Sequence, residues 1–238
     1  MKQLVLTISF VLSLTGAAFA VGTVNWANIS FVAMTAQTNS TAFSSFTGGG
    51  STGFGSVGAA QGGSPSGVSF YWELLFTSYN GSQLASPTSM AMLISQGWLP
   101  TGLKATNSNV SGRLAPVAGS THATVPWDFG VTNSIMLVGW SANLGTTWAA
   151  VSNELANPFL LGFVSGSPFF GVSITGFISP HTFDTDPGAI VVGTSPTSQG
   201  LPIFSLNTQL FLVVTPEPST LALAGMGGLG LLLSRRRK

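Results

Sequence analysis

Along residues 68–77, Phe70, Trp72, Leu74 and Phe76 alternate with Ser69, Tyr71, Glu73 and Leu75. Successive side chains of a strand point to opposite faces, so this period of two predicts a β-strand, closed by the turn signal Tyr79-Asn80-Gly81-Ser82. Residues 24–34 alternate in the same way, with Val24, Trp26, Asn28, Ser30 and Val32 on one side, and predict a first strand. Residues 135–140, IMLVGW, are continuously apolar and predict a strand buried on both faces. The stretch 201–214 sets Phe204, Leu206, Leu210, Leu212 and Val214 against Ser205, Asn207 and Gln209, which predicts one long, half-buried strand. Residues 159–178 carry no charge, but Pro168 and the alternation of Phe170, Val172 and Ile174 with Gly171, Ser173 and Thr175 predict two short strands there, not a membrane helix.

Two segments carry helical signals. Ser86-Pro87 reads as a cap and first helical position, opening a short helix through Ile94 that Gly97 stops. After a turn at 143–145, residues 146–155 place Trp148, Val151 and Leu155 at helical spacing. Residues 48–67, GGGSTGFGSVGAAQGGSPSG, are low-complexity glycine and serine and predict a flexible excursion. Short strands joined by Gly/Ser/Pro-rich turns, with one or two short helices, predict a mainly β fold: an antiparallel β-sandwich, jelly-roll-like. The strands are too few and too unevenly spaced for an outer-membrane barrel.

The two ends depart from this pattern. Met1-Lys2, the apolar stretch 4–14 and the small-x-small site Ala18-Phe19-Ala20 form a secretory signal peptide over residues 1–20, so the mature chain is expected to begin at Val21. At the other end, Thr215-Pro216-Glu217-Pro218-Ser219-Thr220 leads into an uncharged run at 221–233, and the chain stops on Arg235-Arg236-Arg237-Lys238. At about 1.5 Å per residue that run makes a helix of roughly 20 Å, short of a hydrocarbon core of about 30 Å. Gly225, Gly227, Gly228 and Gly230 weaken it further. The basic stop Arg235, Arg236, Arg237 and Lys238 holds the C-terminus on the cytoplasmic side. Such a segment suits a temporary hold better than a permanent anchor.

Pro216, Glu217 and Pro218, the short apolar run and the basic stop together resemble the PEP-CTERM sorting signal of bacteria, over residues 215–238. The resemblance implies recognition by an exosortase, a membrane cysteine transpeptidase, and an association with exopolysaccharide and biofilm matrix in Gram-negative bacteria. It implies a route as well: export by the Sec machinery, a transient tether in the inner membrane, then the cell surface or extracellular matrix. The resemblance says nothing of the domain between, residues 21–214.

That domain, about 195 residues, is long enough for one real core. Only 5 % of the chain is charged, where soluble domains average about 25 %. The polar surface is therefore built from Ser, Thr, Asn, Gln and Gly, nearly neutral and poor at self-repulsion. Lys104 and Arg113 face Glu73, Asp128, Glu154, Asp184 and Asp186, so the domain carries a net charge of −3 and the chain's +1 comes from its two signals. Two scattered cations give no footprint for a phosphate backbone, and nucleic acid is not an expected partner. With no cysteine, disulfides and thiol chemistry are excluded.

Matches to catalytic motifs fail on context. Gly53-Phe54-Gly55-Ser56-Val57-Gly58 fits G-x-G-x-x-G, but its glycine-rich flanks offer neither the strand before it nor the helix after it that aim N–H groups at a pyrophosphate. Gly49-Gly50-Ser51-Thr52-Gly53 fits G-x-S-x-G, with Asp128 and His181 later in the chain, but a nucleophile elbow is a rigid, strained turn that a glycine tract cannot supply. Asp184 and Asp186, beside His181, could offer oxygen ligands to Ca²⁺, yet they read more simply as a solvated turn. His122 stands alone and reads as a surface residue, and Asn28, Asn39, Asn80 and Asn109 begin N-x-S/T sequons. Trp72, Trp140 and Trp148 sit on apolar faces and are expected in the core, leaving Trp98 and Trp127 as the candidates for sugar stacking.

No cofactor, resident metal or enzymatic activity is expected. The expected function is that of an exported, non-enzymatic surface or matrix protein; the alternative is a carbohydrate- or ice-binding module, for which only scattered threonines at 146–147 and 194–197 speak. The charge count has a direct consequence. A chain that has lost both signals should focus at acidic pH, whereas the unprocessed chain has a pI near 8.2. Recovery of a processed form that focuses on the basic side would contradict this charge reading.

Overall fold

The computed structural model describes residues 21–30, 37–43, 54–56, 70–107, 114–118, 120–161, 164–166, 168–182, 188–204, 209–213 and 226. Its strands, in chain order, are β1 (Val21–Asn25), β2 (Gln37–Phe43), β3 (Phe54–Ser56), β4 (Phe70–Ser78), β5 (Leu99–Asn107), β6 (Leu114–Pro116), β7 (Ala123–Asp128) and β8 (Asn133–Ser141). There follow β9 (Phe169–Val172), β10 (Gly176–Ile178), β11 (Ala189–Ile190), β12 (Val192–Gly193), β13 (Gly200–Leu201), β14 (Ile203–Phe204) and β15 (Gln209–Val213). The helices are α1 (Met90–Ser95), α2 (Trp148–Ala156) and the single turn α3 (Pro158–Leu161). The fold is mainly β and its sheets mainly antiparallel, as the pattern predicts. Parallel pairings join β1 to β11, β12 to β14 and β2 to β15.

The main sheet runs β3-β2-β15-β9-β8-β4-β5-β6. At its centre β4 pairs with β8 in unbroken register from Phe70↔Ser141 to Ser78↔Asn133. On its other edge β8 is shared by two strands: β9 takes Val138 to Trp140, and β10 takes Asn133 to Ile135. Residues 173–175 bridge the two, and Ser173 closes the gap. Its backbone N–H donates to the Leu137 carbonyl at 2.8 Å, and its Oγ accepts from the Leu137 N–H at 2.9 Å. Every residue of β8 is buried, so the strand needs each backbone group satisfied along both edges.

Both faces of this sheet are covered. Phe70, Trp72, Leu74, Ile135 and Leu137 pack against the three-stranded sheet β11-β1-β7 and the pair β12-β14, through Val24, Trp26, Val125, Trp127, Val192 and Ile203. On the opposite face Leu75, Met136, Val138 and Trp140 meet the helical segments through Leu93, Leu144, Trp148, Val151, Leu155 and Leu161. The sandwich thus carries a helical layer on its far side, which accounts for the uninterrupted apolar run in β8.

Local chemistry moves several expected boundaries. The strand expected over 24–34 is β1, ending at Asn25, followed by a 3₁₀ turn at Ala27–Ser30; residues 31–34 lie outside the described residues. Asn25 Oδ1 accepts from the Asn28 N–H at 3.0 Å, and the turn puts both Trp26 and Ile29 into one core, which a strand's alternation cannot do at a spacing of three. Helix α1 starts later than Ser86-Pro87 because Ser89 is its cap, its Oγ accepting from the Met92 N–H, and Gly97 at φ +69° ends it. The long strand expected at 201–214 is broken at Pro202, between β13 and β14, since proline has no N–H for the ladder; β15 forms its later part, and residues 205–208 and 214 lie outside the described residues. Helix α2, capped by Thr147, and the strand pair β9 and β10 follow the sequence reading. Within 48–67 only β3 is described, an antiparallel partner of β2.

In the core Trp72 lies closely over Gly139, its partner across the central strands. A Cβ at Gly139 would lie 2.4 to 2.7 Å from the indole ring, so only glycine lets the ring lie against the sheet. Gly139→Ala should therefore cost about 1–3 kcal/mol, the usual cost of overpacking a full core. Its urea midpoint should fall with an unchanged slope; an unmoved midpoint would contradict this packing.

Candidate functional site

At one end of the molecule β1 is clamped between β7 and the segment following β10. Val21 is in register with Asp128, and Thr23 exchanges backbone hydrogen bonds with His181 at 2.9 and 3.1 Å. The Thr23 hydroxyl also donates to the His181 carbonyl at 3.2 Å. A Cβ at Gly22 would fall 2.5 Å from Pro180 Cβ and 2.9 Å from the Trp127 carbonyl, so the slot admits glycine alone. Gly130, in the β7–β8 turn, donates to the Pro180 carbonyl at 3.2 Å and ties that turn to the same end.

Two open clefts flank the turn. One, of about 430 Å³, is lined by Val21, Val125, Pro126, Trp127, Asp128 and Val131. The other, of about 340 Å³, is lined by Phe129, Ser179, His181, Thr182, Ser198 and Gln199, together with Gly130 and Pro180. Asp128 and His181 thus come to one end of the fold but line different clefts. Ser51 lies outside the described residues, so the Ser-Asp-His trio gains no support.

The tryptophan expectation is corrected. Trp98 is only 7 % exposed, with its Nε1 donating to Gln96 Oε1 at 2.7 Å, and packs in the helical-side core. Trp127 is 8 % exposed and stacks on Phe76 with centroids 4.8 Å apart. Strand β7 alternates, so Ala123, Val125 and Trp127 point inward while Thr124, Pro126 and Asp128 point out. Its neighbours Pro126 and Asp128 mark the opposite face, and they do not expose Trp127. Trp72, Trp140 and Trp148 are core residues as expected. Among the described residues the exposed aromatic is Phe129, 46 % accessible, which was not among the expected candidates. The signal was there: a large apolar residue beside Gly130 in the turn between β7 and β8 has no interior to enter.

Other expected positions sort quickly. Asn28 is half-buried and its amide donates to the Val192 carbonyl, whereas Asn80 is exposed. His122 is half-buried, its Nδ1 3.1 Å from the Thr121 hydroxyl. Ala18, Ala20, Asp184, Asp186, Pro216, Glu217, Pro218, Arg235, Arg236, Arg237 and Lys238 lie outside the described residues. Among the described residues no group of three or more His, Asp or Glu gathers to hold a metal. Among them, too, no helix is long and apolar enough to cross a membrane.

One carboxylate is deeply placed. Glu73, 3 % exposed, sits in β4 beside Val138 and opposite Lys104. Burial pushes its pKa above the usual carboxylate range; the Lys104 ammonium and the backbone N–H groups of Trp148 and Gly102 pull it down but do not offset the burial.

These features describe a mainly β protein. The family model of the PEP-CTERM protein-sorting motif matches residues 214–238. The chain thus carries that motif at its C-terminus and is an exported protein sorted by exosortase. No curated protein and no solved structure matches the chain significantly.

The Glu73 environment sets a pH dependence. The native carboxyl binds its proton at higher pH than the unfolded one, so the native state holds more protons between the two values. Stability therefore falls as pH rises through that window and stays at the lower level above it. Glu73→Gln keeps the shape without the charge. It should melt above the parent at about pH 7.5 and level with it at about pH 3.5, below the ordinary carboxyl range. A variant that melts lower than the parent at neutral pH would show that Lys104 and the two N–H groups outweigh the burial.

Proposed function

We propose that this protein is a non-enzymatic component of the cell surface or extracellular matrix, delivered by export and released from its membrane hold by exosortase at or near Pro216-Glu217-Pro218. The observation that carries this reading is the sorting motif at 214–238 joined to a domain of very low charge. A nearly neutral surface of hydroxyls and amides has little electrostatic repulsion to keep copies apart, which suits dense packing among neutral polymers. Among the described residues the ionisable groups form no catalytic constellation: Glu73 is buried against the helical layer, and Asp128 and His181 line separate clefts. Exopolysaccharide is the proposed partner in the matrix, and a Gram-negative envelope the proposed setting.

Intact-mass measurement of the protein recovered from producing cells tests the route. The expected chain begins at Val21 and lacks the residues beyond the motif. Cells without exosortase, or a chain carrying Pro216→Ala, Glu217→Ala and Pro218→Ala together, should retain the tail to Lys238. Chains ending at Lys238 in unaltered cells would sink the processing step.

A further inference from the structure

We propose that the cleft of Phe129, Ser179, His181, Thr182, Ser198 and Gln199 binds a neutral saccharide, the sugar ring lying on Phe129 and its hydroxyls meeting the walls. At about 340 Å³ the cleft stands near the lower end of small-ligand sites, which span about 300–1,000 Å³. Among the described residues no lysine, arginine or carboxylate lines it. A phosphate or carboxylate ligand would find no cation to pair with there. A wholly apolar ligand would strip water from the wall hydroxyls, amide and imidazole without replacing their hydrogen bonds. A polyol meets both demands. Serine and threonine hydroxyls, a carboxamide and an imidazole can each donate and accept, and the exposed Phe129 ring offers an apolar face to the C–H side of a sugar.

The walls are held in place before any ligand arrives. The Ser179 N–H donates to the Gln199 carbonyl at 2.8 Å, and Gly130 to the Pro180 carbonyl at 3.2 Å. The turn that carries Ser198 and Gln199 is closed by the Thr197 N–H to the Gly200 carbonyl at 2.8 Å and by the reverse bond at 3.2 Å. Gly200 has φ +130°, and a Cβ there would lie 2.2 Å from the Phe177 carbonyl oxygen, so β13 seats against β10 only with glycine. His181 is fixed by its two backbone bonds to Thr23. Three chain segments distant in sequence are thus locked around one opening, which lowers the ordering cost of binding.

The site rests on the extracytoplasmic placement above only for access to such a ligand. Its test uses purified full-length protein, so failure of processing and failure of binding are separate results. Titration calorimetry with maltohexaose, cellohexaose and mannohexaose, against hexagalacturonate, should show binding of at least one neutral hexasaccharide. That binding should be unchanged when salt rises from about 0.05 to 0.5 M, because no ion pair is involved. Phe129→Ala and Gln199→Ala, both on the cleft surface, should each weaken it at least about tenfold at an unchanged melting temperature, the loss typical of a truncated central contact. The proposal fails if no neutral hexasaccharide binds up to roughly 10 mM. It also fails if both variants bind like the parent, or if the uronate binds best and salt abolishes it.

Discussion

The contact on which the rest of this fold depends is Trp72 lying over Gly139 between its two central strands. A large indole fully buried at the middle of a sheet supplies much apolar area in one place, and it needs a flat seat. Glycine provides the seat at the cost of its own backbone freedom, which the unbroken β4–β8 ladder recovers by fixing it from both sides. Once that pair is set, the flanking layers follow. Phe70 and Leu74 share the Trp72 face and take the small sheets, while Leu75 and Trp140 on the other take the helices.

With so few charges and no disulfide, the structure satisfies its buried backbone through short hydroxyl and amide side chains placed where ladders stop. Ser173 fills the step between β9 and β10, and the Ser141 Oγ accepts from the Phe169 N–H at 2.7 Å where β8 ends. The Thr101 hydroxyl donates to the Leu74 carbonyl at 2.8 Å beside the register shift between β4 and β5. Each such bond contributes about 1 kcal/mol net, and its loss would leave a buried group unpaired at greater cost. The composition that makes the surface neutral is therefore also what holds the irregular joints of the sheet. Glu73 stands apart from this scheme, a buried carboxyl where the other buried polar side chains are hydroxyls and the Asn133 amide.

How much of this the sequence disclosed follows from the range of the forces involved. Periodicity found β4, β8, the β9–β10 pair and helix α2, because each buries side chains at the spacing of its own backbone. It missed the breaks at Asn25 and Pro202, where a single side chain or a missing N–H overrides a run of apolar residues. It misplaced Trp98 and Trp127 because neighbouring Gly97, Pro126 and Asp128 suggested exposure, whereas alternation along β7 and the packing behind α1 decided burial. The cleft was invisible for a different reason: Phe129, His181 and Gln199 share no local pattern, and only the clamping of β1 and the β10–β13 pairing bring them together. The sorting motif was legible in full, since a linear signal is read as chain and owes nothing to the fold.

Fold and signal meet at one place. Strand β15 ends at Val213 and the motif begins at 214. β15 is an interior strand, paired with β2 on one edge and β9 on the other, and Leu210 and Val213 are buried in the two cores. A cut at or beyond the motif therefore removes no residue of β15. The same junction means that a tether acting through the tail pulls on a strand held along both sides, where many hydrogen bonds share the load. A frayed edge would have peeled one bond at a time. An exported protein sorted through a C-terminal motif has reason to carry that motif on such a strand.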